Sequence, residues 1–585
     1  MKAIIKILAA SAVVLSMSSC KGDLLDTAPY GSVAAGNMWT SENFATKGVD
    51  AIYNKLRSSY VGQQPYNFEC MGVACDERDA PQAILRNRVT TGAGIFSSYW
   101  SQHYGGISRA NDAIAHLPNV PMNETLKARY MAEAKAFRAF YYYKLNIVYK
   151  GVPLYLEPIE ASECTKGQSS EAEIWDAIIT DLTDAINEPA LPDIYHKGDA
   201  DHGRISKGFC YALRGKAYLA QKKYDQAAAD FERVGQCGYK LLDLAPGNYK
   251  MLFKEENEDC DEMIFSVQQI GLSGLGQDMS FRYGTRSSFG SCWNTYLVNT
   301  DFVESFENAD GSKFNWNDII PGYNEMDPKA RCVYFLRDGL TQAEIERFTK
   351  NGADMSKYLP EGNEARIRKA YENRDPRLEA TVITPYAVYH GADGSVEHNY
   401  VLRWPFRSKT EPTVDLITDT NNYYFYLFRK FVAEGVNEIP NRAYAPTDIP
   451  IIRYADVLLN LAECYCELGQ DAKAIDCVNQ VRNRAGAALL NSNQYTQVAG
   501  KDDLRERIRN ERRWEFMGEG VDFFDEMRWG TWKQSKFKEG AGMKQIWGQT
   551  YYSYEWSGDQ VYTWPAPLSE RQINTNLTLA EGWKD

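Results

Sequence analysis

Histidine is scarce in this 585-residue chain, with six copies, and none sits at a spacing that would bind a metal. There is no His-Glu-x-x-His pair, no Gly-x-Ser-x-Gly elbow and no glycine loop of the kind that cradles phosphate. Zinc hydrolysis, elbow-serine chemistry and nucleotide binding therefore have no recognisable carrier, and no cofactor or metal is expected. Lysine- and arginine-rich tracts are also missing, and the formal charge is −13. Such a body repels nucleic acid and anionic membrane surfaces, since both need a basic face. Beyond residue 19 no apolar run is long enough to cross a bilayer. The eleven cysteines after Cys20 lack regular spacing. Cys70 with Cys75, or Cys464 with Cys466, do not give the paired gaps of a zinc site, so buried thiols are expected and a disulfide-stapled fold is not.

The first twenty residues carry a clear signal. Lys2 and Lys6 precede a nine-residue apolar run, Ile7 to Leu15, and then small residues Ser16, Ser18 and Ser19. A charged start, a short apolar stretch and a small-residue cleavage site describe an export leader over residues 1–19. Cys20 follows at once, which reads as a lipoprotein whose mature first residue is acylated. Two or more acyl chains hold a protein to a membrane stably, at about 0.8 kcal/mol per buried methylene. Losing Lys2 and Lys6 takes the mature body to about −15.

Aromatic residues are abundant, with 38 Tyr, 24 Phe and 13 Trp. A repeat is visible as well. Gly215, Tyr218, Ala227 and Phe231 share their offsets with Ala462, Tyr465, Ala474 and Val478, the spacing of a tetratricopeptide helical hairpin. In the second hairpin Gly469 ends the first helix, Asp471 is placed to cap the next, and Gly486 ends that one. Further helices are predicted over residues 124–149, 171–187 and 503–518. Between about 236 and 450 glycine, proline and asparagine become frequent, and β-like runs such as Met263 to Val267 replace long helices. The expected fold is mainly α: a tetratricopeptide-like helical-repeat scaffold with a large loop-rich insertion carrying short β-strands. Its parts would be the leader (1–19), a helical region (20–235), a loop-rich binding region (236–450) and a second helical region (451–585), with 20–585 one compact unit.

Motifs spread along the chain resemble those of the SusD/RagB family. Leu25-Asp-Thr-Ala-Pro29 follows the anchor, and Glu133 to Tyr141 leads into Tyr149-Lys-Gly-Val-Pro-Leu154. Arg204-Ile-Ser206 precedes the first hairpin, and Asn373-Arg-Asp-Pro-Arg377 lies in the middle. Then come Ile451 to Leu459, Asn479 to Gly486, Glu511-Arg-Arg-Trp-Glu-Phe516, Glu519-Gly520, Phe524 to Gly530 and Trp564-Pro-Ala-Pro567. Asp522 departs from the family pattern, where arginine is common, and so does the ending Leu579 to Trp583. The resemblance implies a nutrient-binding lipoprotein on the outer face of an outer membrane, seated as a lid over a SusC-like TonB-dependent β-barrel transporter. Most such proteins bind oligosaccharides non-catalytically, while a RagB-like branch binds peptides.

The family's binding residues form no transferable motif, so candidates are argued physically. A sugar ring stacks its C–H face on an aromatic ring, while its hydroxyls seek carboxylate, amide or arginine. Trp39, Trp100, Trp175, Trp514, Trp529 and Trp564 lie in helical or signature stretches and are expected in the core. Trp293, Trp316 and Trp404 lie in the irregular middle with polar neighbours, among them Arg282, Tyr283, Arg286 and Asn294 near the first. Asp76-Glu-Arg-Asp79 is read as a polar loop. The expected ligand-binding set is Asp76, Arg78, Tyr283, Arg286, Trp293, Trp316 and Trp404. The acidic run Glu255 to Asp261 lacks the pattern of a calcium loop and is read as a solvated turn. A surface glycoside hydrolase would need two carboxylates about 5–10 Å apart, for which Asp76 with Asp79, or Asp301 with Glu304, are the candidates. A protein-interaction scaffold is the third reading.

Overall fold

The computed structural model describes residues 38–585 except 80, 246, 409–413, 419–423 and 439–440. The export leader and the acylation site at Cys20 lie outside the described residues.

The frame begins as consecutive helices: α1 (Glu42–Tyr53), α2 (Gly94–His116), α3 (Glu124–Tyr149), α4 (Glu171–Asn187), α5 (Lys207–Ala220) and α6 (Tyr224–Gln236). Each packs on the next. Side chains set their starts. Asn123 accepts from the Leu126 amide, Ser206 from the Phe209 amide, and Ser170 and Glu173 form a reciprocal capping box. On α4 the stripe Ile174, Ile178, Leu182 and Ala185 is buried, as its helical spacing requires. Helix α3 is buried around most of its circumference, which marks it as the central element. Glycines let the helices close in: a Cβ at Gly106 would stand 2.5 Å from the Tyr141 ring, and one at Gly215 would stand 2.7 Å from Phe231.

The stack resumes two hundred residues later. Helix α7 (Tyr454–Glu467) packs on α6, and α8 (Asp471–Ala485) and α9 (Lys501–Glu515) pack on α7. Helix α10 (Asp522–Trp529) lies against α3. Ala227, Phe231, Ala462, Ala474 and Val478 are all buried at their repeat positions. One detail differs from the sequence reading. Asp471 is the first helical residue of α8 rather than its cap, because Gln470 occupies the capping position.

Short antiparallel pairs organise the insertion. Among the strands are β1 (Cys75–Glu77), which reaches in from outside the insertion, β2 (Met263–Val267), β3 (Tyr296–Val298), β4 (Val388–Asp393), β5 (Val396–Val401) and β6 (Ile449–Arg453). Strand β1 pairs with β3, and β4 with β5 as a hairpin. Strand β2 pairs with β6, placing Met263 opposite Arg453 and Val267 opposite Ile449. That pairing ties together the two ends of the insertion, so the helical stack continues past it. Residues 75–77 are thus a strand, which corrects the expectation of a polar loop beginning at Asp76.

A buried ionic cluster joins signature residues to Glu262 and Glu307 of the insertion. Arg377 contacts Asp375 at 2.7 Å and Glu511 at 2.6 Å. Arg453 reaches Glu515 at 2.6 Å and Glu519 at 2.8 Å, and Arg484 pairs with Glu262 at 2.7 Å and with Glu515. Arg482 joins Glu307 at 2.6 Å to Glu511 at 2.9 Å. Arginine suits this role because its planar fork satisfies two carboxylates at once. Of the cysteines after Cys20, Cys164 is exposed, Cys237 and Cys260 are half-buried, and the rest are buried free thiols.

Candidate functional site

Of the three middle tryptophans, one presents a face to solvent. Trp293 is 42% exposed. Its backbone is fixed from both sides: its amide donates to the Phe281 carbonyl at 3.0 Å, and its carbonyl accepts from the Arg78 guanidinium at 2.7 Å. The indole packs on Phe281 with ring centroids 4.7 Å apart. Phe281 comes from the short helix Met279–Tyr283. The Arg442 guanidinium caps Phe281 at 4.8 Å and donates to the carbonyls of Gly290 and Ser291 at 2.8 and 2.7 Å. Three separate stretches of chain therefore converge on one two-ring shelf.

The shelf has a polar rim. Arg282 pairs with Asp278 at 3.0 Å, and Asp278 accepts from the Tyr66 hydroxyl at 2.9 Å. The exposed Asp79 receives two bonds from Arg78, at 2.5 and 2.8 Å, and this hydrogen bonding holds its carboxyl below the usual range. Glu77 is pushed the other way, up to about 7, by burial and by the neighbouring Asp79. A flat apolar face edged by carboxylate and guanidinium offers stacking and directional hydrogen bonds together.

The remaining candidates are placed differently. Trp316 is 4% exposed, stacked on Tyr323 at 4.6 Å, and its indole N–H donates to Glu304 at 2.7 Å. Trp404 is 2% exposed and packs on Tyr424 at 5.6 Å. Tyr283 is fully buried against Phe428, 4.1 Å away. Asp76 is buried too, accepting from Asn299 at 3.0 Å and from the Tyr554 hydroxyl, with Lys536 at 3.5 Å. These four are corrected to core positions, because each has exhausted its open face or its lone pairs on protein neighbours. Arg78 is also buried, but it works at the site by holding the Trp293 carbonyl and Asp79. Arg286 is half-buried on the same loop as Trp293.

The carboxylate pairs weighed for hydrolysis are engaged elsewhere. Asp301 pairs with Lys544 at 2.9 Å and Lys538 at 3.2 Å, and Glu304 holds Trp316. Phe281 and Arg442 are the site residues that sequence reasoning missed. Phe281 lay beside the named Arg282, but Arg442 is some 150 positions from Trp293 and gave no local signal. Trp100, Trp175, Trp514 and Trp564 are buried, as their core assignment requires; Trp39 is half-buried against the core, and Trp529 is half-buried outside it, which corrects that assignment.

Comparison with known proteins fits this geometry. The model of the SusD family matches residues 261–583, and a second, described as starch-binding associating with outer membrane, matches residues 43–219. A SusD-like protein of Formosa agariphila is 25% identical over 88% of this chain and 88% of its own. The starch-binding protein SusD of Bacteroides thetaiotaomicron is 24% identical over 79% of this chain and 74% of its own. A SusD-like carbohydrate binding protein from Bacteroides fragilis, 24% identical, superposes with a TM-score of 0.71 over 92% of this chain and all of its own, which establishes the shared fold. Since the first of these matches spans more than half of the sequence, the chain belongs to the SusD family.

Proposed function

We propose that this protein captures oligosaccharide or polysaccharide without cleaving it and passes it to a SusC-like TonB-dependent barrel. In this reading the acyl group on Cys20 tethers the body to the outer face of the outer membrane. The observation that carries the proposal is the open indole of Trp293, braced by Phe281 and rimmed by Asp79, Arg282 and Arg442. The names of the relatives, a starch-binding and a carbohydrate binding protein, support glycan as the ligand class. A non-catalytic role is supported by the engagement of Asp301 and Glu304 in structural contacts.

One exposed platform contributes roughly 0.5–1.5 kcal/mol beyond buried area, so affinity per site is modest, about micromolar to millimolar. Tethering beside the transporter compensates by raising effective concentration without any new contact. The test uses the form lacking residues 1–20 and a panel of plant, host and microbial polysaccharides. Binding without release of new reducing ends is expected. Steady growth of reducing ends, abolished by substituting one carboxylate, would replace this reading with a hydrolase.

A further inference from the structure

A second cavity, sharing no residue with the aromatic shelf, lies where α3, α5, β6 and α10 meet. Its volume is about 90 Å³, room for roughly six to nine water-sized groups. The wall is mostly apolar, with Phe140 and Ile147 from α3, Leu213 from α5, Ile452 from β6 and Phe524 from α10. Half-buried Tyr60, Ile451 and Val521 leave its mouth open to solvent.

Lys144 of α3 stands inside this apolar wall. Its ammonium lies 4.6 Å from the Phe524 ring centroid and 5.9 Å from that of Phe140. Among the described residues it makes no hydrogen bond and no ion pair. The other charges at the cavity are matched. Lys216 pairs with Asp456 at 2.6 Å, Arg528 with Glu463 at 2.8 Å, Asp525 with Arg512 at 2.7 Å, and Glu519 with Arg453 at 2.8 Å. Tyr60 and Tyr143 also line the space. Lys144 is half-buried, and burial and the nearby Lys216 lower its ammonium to about 8 against the opposing pull of Asp456.

We propose that this cavity binds a small amphipathic monocarboxylate, its carboxylate on the Lys144 ammonium and its alkyl body along the apolar wall. One unmatched cation sets the ligand's charge, and the small apolar space suits a short alkyl body, for which a six-carbon chain serves as the probe. An amino acid suits it less well, because an α-ammonium would find Asp525 and Glu519 already taken by arginines.

The test is titration of the full-length chain with hexanoate, hexanol and norleucine. Hexanoate should bind at least about tenfold more tightly than hexanol, as one charge-assisted contact requires, and norleucine should bind more weakly than hexanoate. Lys144→Met should remove the preference for hexanoate while leaving hexanol binding in place. In the unaltered protein, hexanoate should slow acetylation of Lys144 by acetic anhydride, read by mass spectrometry, more than hexanol does at equal concentration. Equal affinity for hexanoate and hexanol, hexanoate binding that survives Lys144→Met, or Lys144 labelling unchanged by hexanoate would overturn the proposal.

Discussion

At the scale of the residue, Trp293 and Trp316 are the same side chain in opposite roles. Both were legible as tryptophans in an irregular region with polar company, but sequence spacing does not say which neighbours close over a ring. Trp316 is covered by Tyr323 and by Phe314, a ring two positions away, whereas Trp293 has Phe281 beneath it and solvent above. Substitution separates the two. Trp316→Ala should cost about 3–5 kcal/mol of stability, the range for emptying a packed aromatic site, and should lower Tm without a specific effect on ligand. Trp293→Ala should leave Tm nearly unchanged in a thermal melt. Asp76 illustrates the same limit. Its acidity was visible in the sequence, but its partners Asn299, Lys536 and Tyr554 come from distant stretches, so its burial was not.

At the scale of the element, helices were the most legible feature, since caps and apolar spacing are local. The predicted ranges 124–149 and 171–187 match α3 and α4, and the strand over 263–267 matches β2. The signature stretches prove to be ionic: Arg377, Arg453, Arg482 and Arg484 meet Glu262, Glu511 and Glu515 in one buried cluster. Glu515 is opposed by burial, yet Arg484, Arg453 and Arg377 overcome it and hold its carboxyl at about 2 instead of the ordinary 4.5. With the folded value depressed, its contribution is complete above about pH 4.5 and is lost as pH falls toward 2. Glu515→Gln should therefore destabilise by about 3 kcal/mol or more at pH 7, and should flatten the acid limb of a Tm-against-pH curve. Asp448 behaves in the opposite sense. Burial and then Glu258 push its carboxyl from 3.8 up to about 8. A raised folded value means stability present below 3.8 and lost as pH rises to 8. Asp448→Asn keeps an acceptor for the Gln269 amide, so it should raise Tm at pH 8 and change little at pH 3.5.

At the scale of the whole molecule, a continuous helical stack carries a long insertion whose ends are joined by β2 and β6. The ionic cluster spans the boundary at residue 450, with Glu262, Glu307 and Arg377 on one side and Arg453, Arg482 and Glu511 on the other. We propose on that basis that the helical and loop-rich regions unfold together, as one calorimetric transition. The most direct test of the central claim, that Trp293 is the platform on which glycan lies, is electrophoresis through polysaccharide-containing gels. The unaltered body and Trp293→Ala would be run side by side. The account predicts that a polysaccharide which slows the unaltered protein loses most of its hold on the variant, with an affinity fall of roughly tenfold. Equal retardation of the two would contradict it.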